Sequence, residues 1–192
     1  MRRMLVIGVI CTLSVALPRT AVAQQALEYK VLATTKTSTM EKELNDAGEA
    51  GFQLNTVMGG ETAFGGKETV AVISRTAGTK TRYQYKLLAT NKTSTMQKEL
   101  QDAADLGYDY KGQTVFDSLF GGKEVVVVME RDTAHLTRGD TYKLLATLKT
   151  STMEKELKEV GGDGFVALGM TVAKTLIGGR EVVTITRRRG AR

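Results

Sequence analysis

The chain has 192 residues, with 27 Lys and Arg against 21 Asp and Glu, one histidine and one cysteine. Arg2, Arg3, Arg19 and the single Cys11 all fall in the first 23 residues, so the remaining 169 carry a net charge of only +3 and no thiol. Disulfides, thiolate metal sites and a cysteine nucleophile are thereby excluded from the body of the protein, and near-neutral repeats do not make the basic face of a nucleic-acid binder.

Residues 1–23 read as a signal peptide. Arg2 and Arg3 precede an apolar run from Met4 to Leu17, Pro18 breaks it, and Ala21-Val22-Ala23 offers a small-x-small cleavage site before Gln24. The run falls short of the roughly 20 residues that span a bilayer, which makes a retained anchor the lesser alternative. Ile10 before Cys11 is too large for a lipoprotein cleavage site. The expected location is the periplasm or the exterior, without stable membrane insertion after cleavage.

The body is one sequence written three times. YKVLATTKTSTMEKEL starts at Tyr29, YKLLATNKTSTMQKEL at Tyr85 and YKLLATLKTSTMEKEL at Tyr142, and any two copies agree at 13 or 14 of 16 positions. Internal repetition of this kind marks a repeat architecture. The units are 24–76, 77–132 and 133–187, followed by a basic tail over 188–192. That tail reads as solvated, with contact to an anionic lipid, polysaccharide or acidic partner as the alternative.

Within a unit, Tyr29–Thr34 is short, apolar and β-prone and predicts a strand. Ser38 with Glu41, Ser94 with Gln97 and Ser151 with Glu154 have capping-box spacing, which predicts a helix start there. Met40, Leu44 and Ala47 then recur at helical spacing, as do Met96, Leu100, Ala103 and Met153, Leu157, Val160. Gly51, Gly107 and Gly164 predict left-handed stops, each followed by an aromatic (Phe52, Tyr108, Phe165). A less regular segment leads to Gly65-Gly66, Gly121-Gly122 or Gly178-Gly179, which suit a tight hairpin. The following runs, such as Val125 to Met129, are apolar at successive positions, as in a strand covered on both faces.

The expected fold is therefore α+β: three tandem β-α-β-β repeats, each a three-stranded mixed sheet of order 1-3-2 with one helix. A right-handed crossover makes the first two strands parallel. One helix leaves the second sheet face bare, so the units are expected to bring those faces together, as a closed pseudo-threefold arrangement in preference to a continued sheet. Tyr29-Lys30, Gly51-Phe52 and Val70 to Ile73, with their equivalents, resemble the bacterial domain-of-unknown-function family 4177, whose members begin on a Tyr-Lys strand and carry a helix ending in Gly-Trp. The resemblance implies the same β-α-β-β unit and brings no activity.

Two candidate sites follow. Lys36-Thr37-Ser38, Lys92-Thr93-Ser94 and Lys149-Thr150-Ser151 place a cation and hydroxyls at helix N-termini, an arrangement suited to a small anion such as phosphate, sulfate or a carboxylate. Solvated lysines are the alternative. The segment after each helix differs most between units: Phe52 to Phe64 and Tyr108 to Phe120 share 1 of 13 residues. Gln53, Asn55, Tyr108 and Tyr110 there form a candidate surface for a protein partner. His135, alone in a linker, suggests no chemistry. With no Cys and no cluster of acids around a histidine, no catalytic residue, metal site or cofactor is expected. The sequence reads as an exported, non-enzymatic interaction or structural module, with anion or solute binding second and an exported enzyme third.

Overall fold

The computed structural model describes residues 26–62, 66–90, 92–117, 123–135, 139–174 and 180–190. The signal-peptide segment lies outside the described residues, and so does at least one glycine of each expected Gly-Gly turn. No helix among the described residues is long and apolar enough to cross a membrane.

Three equivalent units follow one another. Unit 1 comprises β1 (Leu27–Thr34), α1 (Thr37–Glu49), β2 (Gln53–Thr62) and β3 (Gly66–Thr76); unit 2, β4 (Tyr83–Thr90), α2 (Thr93–Asp105), β5 (Asp109–Asp117) and β6 (Lys123–Asp132); unit 3, β7 (Thr141–Thr147), α3 (Thr150–Gly162), β8 (Val166–Lys174) and β9 (Arg180–Arg188). The fold is α+β, with sheet orders β1-β3-β2, β4-β6-β5 and β7-β9-β8. The valine strand is central in each, as its apolar run requires. β1 and β2 run in the same direction, as the crossover demands, but β3 lies between them. Both ladders of every sheet are therefore antiparallel, and the sheets are not mixed.

All three helices stop in the same way. The N–H of Gly51 bonds the Gly48 carbonyl at 2.9 Å and that of Phe52 the Ala47 carbonyl at 3.0 Å, with Gly51 at φ 85°. Gly107-Tyr108 and Gly164-Phe165 repeat this double bond, a Schellman motif that only a residue tolerant of positive φ completes without strain. An arginine at the end of each central strand then closes the motif. Arg75, Arg131 and Arg188 stack on Phe52, Tyr108 and Phe165 at 4.6, 4.7 and 4.9 Å, and each donates to a C-terminal helix carbonyl. A cation here answers both the ring face and the negative helix end.

The helix starts differ from the capping-box expectation. Each helix begins two residues early, with Lys36, Lys92 or Lys149 as an extended N-cap that makes no side-chain cap bond. Ser38 therefore falls inside the first turn. The hydroxyls of Thr34, Thr90 and Thr147 instead accept from the N–H of the lysine two residues on, at 3.2, 3.1 and 3.0 Å.

The units form an open row. α1 packs on β4, α2 on β7, β2 on β5 and β5 on β8, and no substantial packing joins unit 1 to unit 3 among the described residues. Neither a closed threefold arrangement nor a continued sheet is formed, and the bare sheet faces do not meet one another. The bare faces of units 2 and 3 are covered instead by the helix-bearing side of the unit before each. The cores consequently straddle units: Met40, Leu44, Phe52 and Ile73 cluster with Tyr85 and Val128, and Met96, Leu100 and Met129 with Tyr142, Val183 and Ile185. Val125 to Met129 is buried throughout because unit 2 alone has a neighbour on both sides.

Candidate functional site: two joints and two uncovered end faces

Each joint is built by one helix reaching the free edge of the next unit's first strand. At joint 1 the Asn45 side chain pairs with the main chain of Tyr85, donating to its carbonyl and accepting from its N–H, both at 2.9 Å. Glu41 accepts from the Leu87 N–H at 2.8 Å. At joint 2, Gln101 accepts from the Tyr142 N–H at 3.1 Å, and Gln97 accepts from Leu144 at 2.8 Å while donating to the Tyr142 carbonyl at 2.9 Å. These bonds satisfy edge-strand groups that otherwise invite strand addition. Glu41 and Gln97 have capping-box spacing in sequence, but the following unit recruits them.

The repeated tyrosine is the second part of each joint. The Tyr85 hydroxyl accepts from the Leu54 N–H and donates to Glu130, both at 2.9 Å. The Tyr142 hydroxyl accepts from the Tyr110 N–H at 3.0 Å and donates to Asp109 at 2.8 Å. Burial first and the neighbouring carboxylate second hold both phenols well above the ordinary tyrosine range, and burial pushes Tyr110 up to about 12. Around these phenols the polar pairs differ. Glu130, almost fully buried, receives Gln53 at 2.9 Å and Lys111 at 2.8 Å. Arg187, at the same repeat position, binds Asp109 and also lies 3.7 Å from Asp140.

Shape completes the joints. β2, β5 and β8 each carry a β-bulge at the same place, between Leu54 and Thr56, Tyr110 and Gly112, and Ala167 and Gly169. The bulge lets β2 and β5 present side chains to the next sheet. A Cβ at Gly112 would lie 3.0 Å from Val57, and one at Gly169 only 2.0 Å from the Tyr110 hydroxyl.

The row ends on two faces that nothing in the described chain covers. On unit 1, Leu27, Tyr29, Val31 and Met58 are 52, 60, 65 and 62% exposed, whereas Tyr85 and Tyr142, equivalent to Tyr29, are 3 and 1% exposed. On unit 3, no strand of another unit packs on the outer side of α3 among the described residues. Met153, Leu157, Met170 and Val182 line an open groove of about 390 Å³ beside it, and Met170 and Val172 are 58 and 57% exposed.

The residues singled out from sequence fall as follows. Lys36, Ser38, Lys92, Thr93, Ser94, Lys149, Thr150 and Ser151 are exposed and Thr37 is half-buried. They mark three separate helix starts, one per unit, and nothing in the structure explains why Lys-Thr recurs. Of the partner-surface residues, Gln53 and Tyr110 lie in the joints and Tyr108 under Arg131, so all three are taken up within the chain; only Asn55, the bulge residue, is exposed. The basic tail is not simply solvated at its root, since Arg189 pairs with Asp140 at 3.2 Å and Asp109 at 3.4 Å. His135 is exposed, with Nδ1 3.1 Å from the Asp132 carboxylate. Among the described residues no group of three or more His, Cys, Asp or Glu could hold a metal ion. Sequence reasoning missed the joint residues Asn45, Gln101 and Glu130 and the end faces. The available signal was the recurrence of Tyr29, Tyr85 and Tyr142, whose phenols need partners when buried. No protein-family model matches the chain, and no curated protein and no solved structure matches it.

Proposed function

We propose that the chain is an exported, non-enzymatic interaction or structural module that works through the two ends of its three-unit row. The observation that carries this reading is the pair of uncovered end faces, because large contiguous apolar exposure marks interaction surfaces. The polar helix flanks and the interior joints offer no comparable surface. The test is a photo-crosslinking residue at Tyr29 or Met170 in cells exporting the chain, with Lys98 on the flank of α2 as the control position. Crosslinks to a defined protein from the end positions, and none from Lys98, are expected. An absence of crosslinks from both ends would overturn the reading.

Anion binding is the second reading, supported by the three N-caps that carry no side-chain cap bond. Phosphate, sulfate or citrate at 100 times its dissociation constant would stabilise by about 2.7 kcal/mol relative to chloride at matched ionic strength. That is roughly 5–10 °C for a domain of this size. The shift is expected to vanish when Lys36, Lys92 and Lys149 become alanine, and a flat melt with every anion removes this reading.

A further inference from the structure

The two end faces are the unmatched halves of the joint that the chain already makes twice. We propose that copies of the protein associate head to tail, the α3 and β8 side of one copy covering the β1 face of the next. The inference rests on the reading of the end faces as interaction surfaces and names their partner as a second copy of this chain.

Repeat equivalence carries the assignment residue by residue. Tyr29, Val31 and Ala33 stand where Tyr85, Leu87, Ala89 and Tyr142, Leu144, Ala146 receive the preceding helix. No side chain among the described residues bonds the main chain of Tyr29 or Val31, whose equivalents are clasped by α1 and α2. On the other side, Met153 and Leu157 repeat Met40 and Leu44, and Glu154 repeats Glu41, the acceptor for the next strand's N–H. Lys158 replaces Asn45 and is able to donate to the Tyr29 carbonyl, although it cannot accept from the N–H. In the isolated chain Glu154 and Lys158 bond one another at 2.5 Å, across exposed positions.

The positions that differ change on both halves together. Joint 1 sets Gln53 against Glu130 and joint 2 sets Asp109 against Arg187. At the corresponding positions of the two end faces stand Val166 and Ser74, so the charge is gone from one half and its polar partner from the other. Docking therefore buries no unpaired charge there, which is what a joint must avoid. Size changes in the same way. Thr56 replaces the glycines at 112 and 169, which Val57 and the Tyr110 hydroxyl of the preceding unit crowd, and Ala167 stands in place of the larger Tyr110. Gly161 repeats Gly48. A Cβ on Gly48 would lie 2.2 Å from the Tyr83 carbonyl oxygen, but one on Gly161 meets nothing within 4 Å in its own chain. The carbonyl equivalent to that of Tyr83 belongs to Leu27, on the opposite end of the molecule.

Such a contact joins two different surfaces of the same chain. It is heterologous, and it produces a ring if the rotation closes and a filament if it does not. Sedimentation velocity of the exported chain tests it with two exposed substitutions, Val31→Glu on one end and Met170→Glu on the other. The wild-type chain is expected to grow with concentration in steps of one chain or to stop at a closed ring. Each variant alone is expected to remain one chain, and an equimolar mixture to form a two-chain species, since each retains the face the other has lost. A wild-type chain that is single at every concentration overturns the proposal. So does a dimer that survives both substitutions, or a mixture that stays single. If the chain is single while Tyr29 crosslinks to a different protein, the end faces remain interaction surfaces and only the second copy is refuted.

Discussion

Replacing the repeated tyrosine by phenylalanine in each unit separates the joint from everything else the residue does. Tyr85→Phe removes a donor to the buried Glu130 carboxylate and an acceptor for the Leu54 N–H, while leaving the ring. Hydrogen bonds to charged groups contribute about 1.5–3 kcal/mol. Glu130 keeps Gln53 and Lys111, and Leu54 keeps a longer bond to Glu130 at 3.3 Å, so about 2 kcal/mol is the expected cost. For a chain of this size that is a fall of roughly 4–8 °C in Tm. Tyr142→Phe breaks the matching bonds to Asp109 and Tyr110 and should cost about as much. Tyr29→Phe, at the same repeat position, has no hydrogen-bond partner among the described residues to lose and should stay within about 0.5 kcal/mol in dilute solution. The assay is thermal and urea unfolding of the three variants, extrapolated to low protein concentration. Three equal losses, or a Tyr85→Phe loss under about 0.5 kcal/mol, would refute the reasoning that the hydroxyl acts through the joint.

Two further outcomes follow from the same geometry. Gly48→Ala should destabilise, because its Cβ meets the Tyr83 carbonyl oxygen at 2.2 Å, whereas Gly161→Ala in open space should gain about 0.5–1 kcal/mol from helix propensity; urea midpoints of the two variants check the opposite signs. At alkaline pH the phenols of Tyr85, Tyr110 and Tyr142, all raised in the fold, stay protonated after unfolded tyrosines ionise near 10. The folded state then binds more protons, so stability is whole below about pH 10 and falls as pH rises toward 12; a urea midpoint that is flat across that window contradicts it.

Much of the unit was legible because local chemistry determines it. Gly51, Gly107 and Gly164 announce helix stops that only glycine completes readily, and the valine run of β6 is apolar at consecutive positions because it is covered twice. The strand order followed from that run. The joints were not legible, since Glu41 three residues after Ser38 satisfies a capping box as well as it satisfies a distant N–H. Only the next unit's edge strand decides between them. The second segment read as irregular because the bulge after Leu54 breaks the period of two that marks a strand. Closure of the row failed as an expectation for a related reason. A helix covers its own sheet and part of the next, so the bare faces never need to meet, and the surplus appears at the two ends. Conservation of the sixteen-residue stretch within the chain suits a segment that packs on its own sheet and also forms the joint.

Amide hydrogen exchange at Val31, Leu87 and Leu144 tests the open row most directly, since the three N–H groups occupy one repeat position. Glu41 holds Leu87 and Gln97 holds Leu144, so both should be protected at every protein concentration. Val31 should exchange rapidly in dilute solution and gain protection as concentration rises and Glu154 of another copy reaches it. Val31 protected as strongly as Leu87 at high dilution would contradict the open row and mean that the chain covers its own first strand.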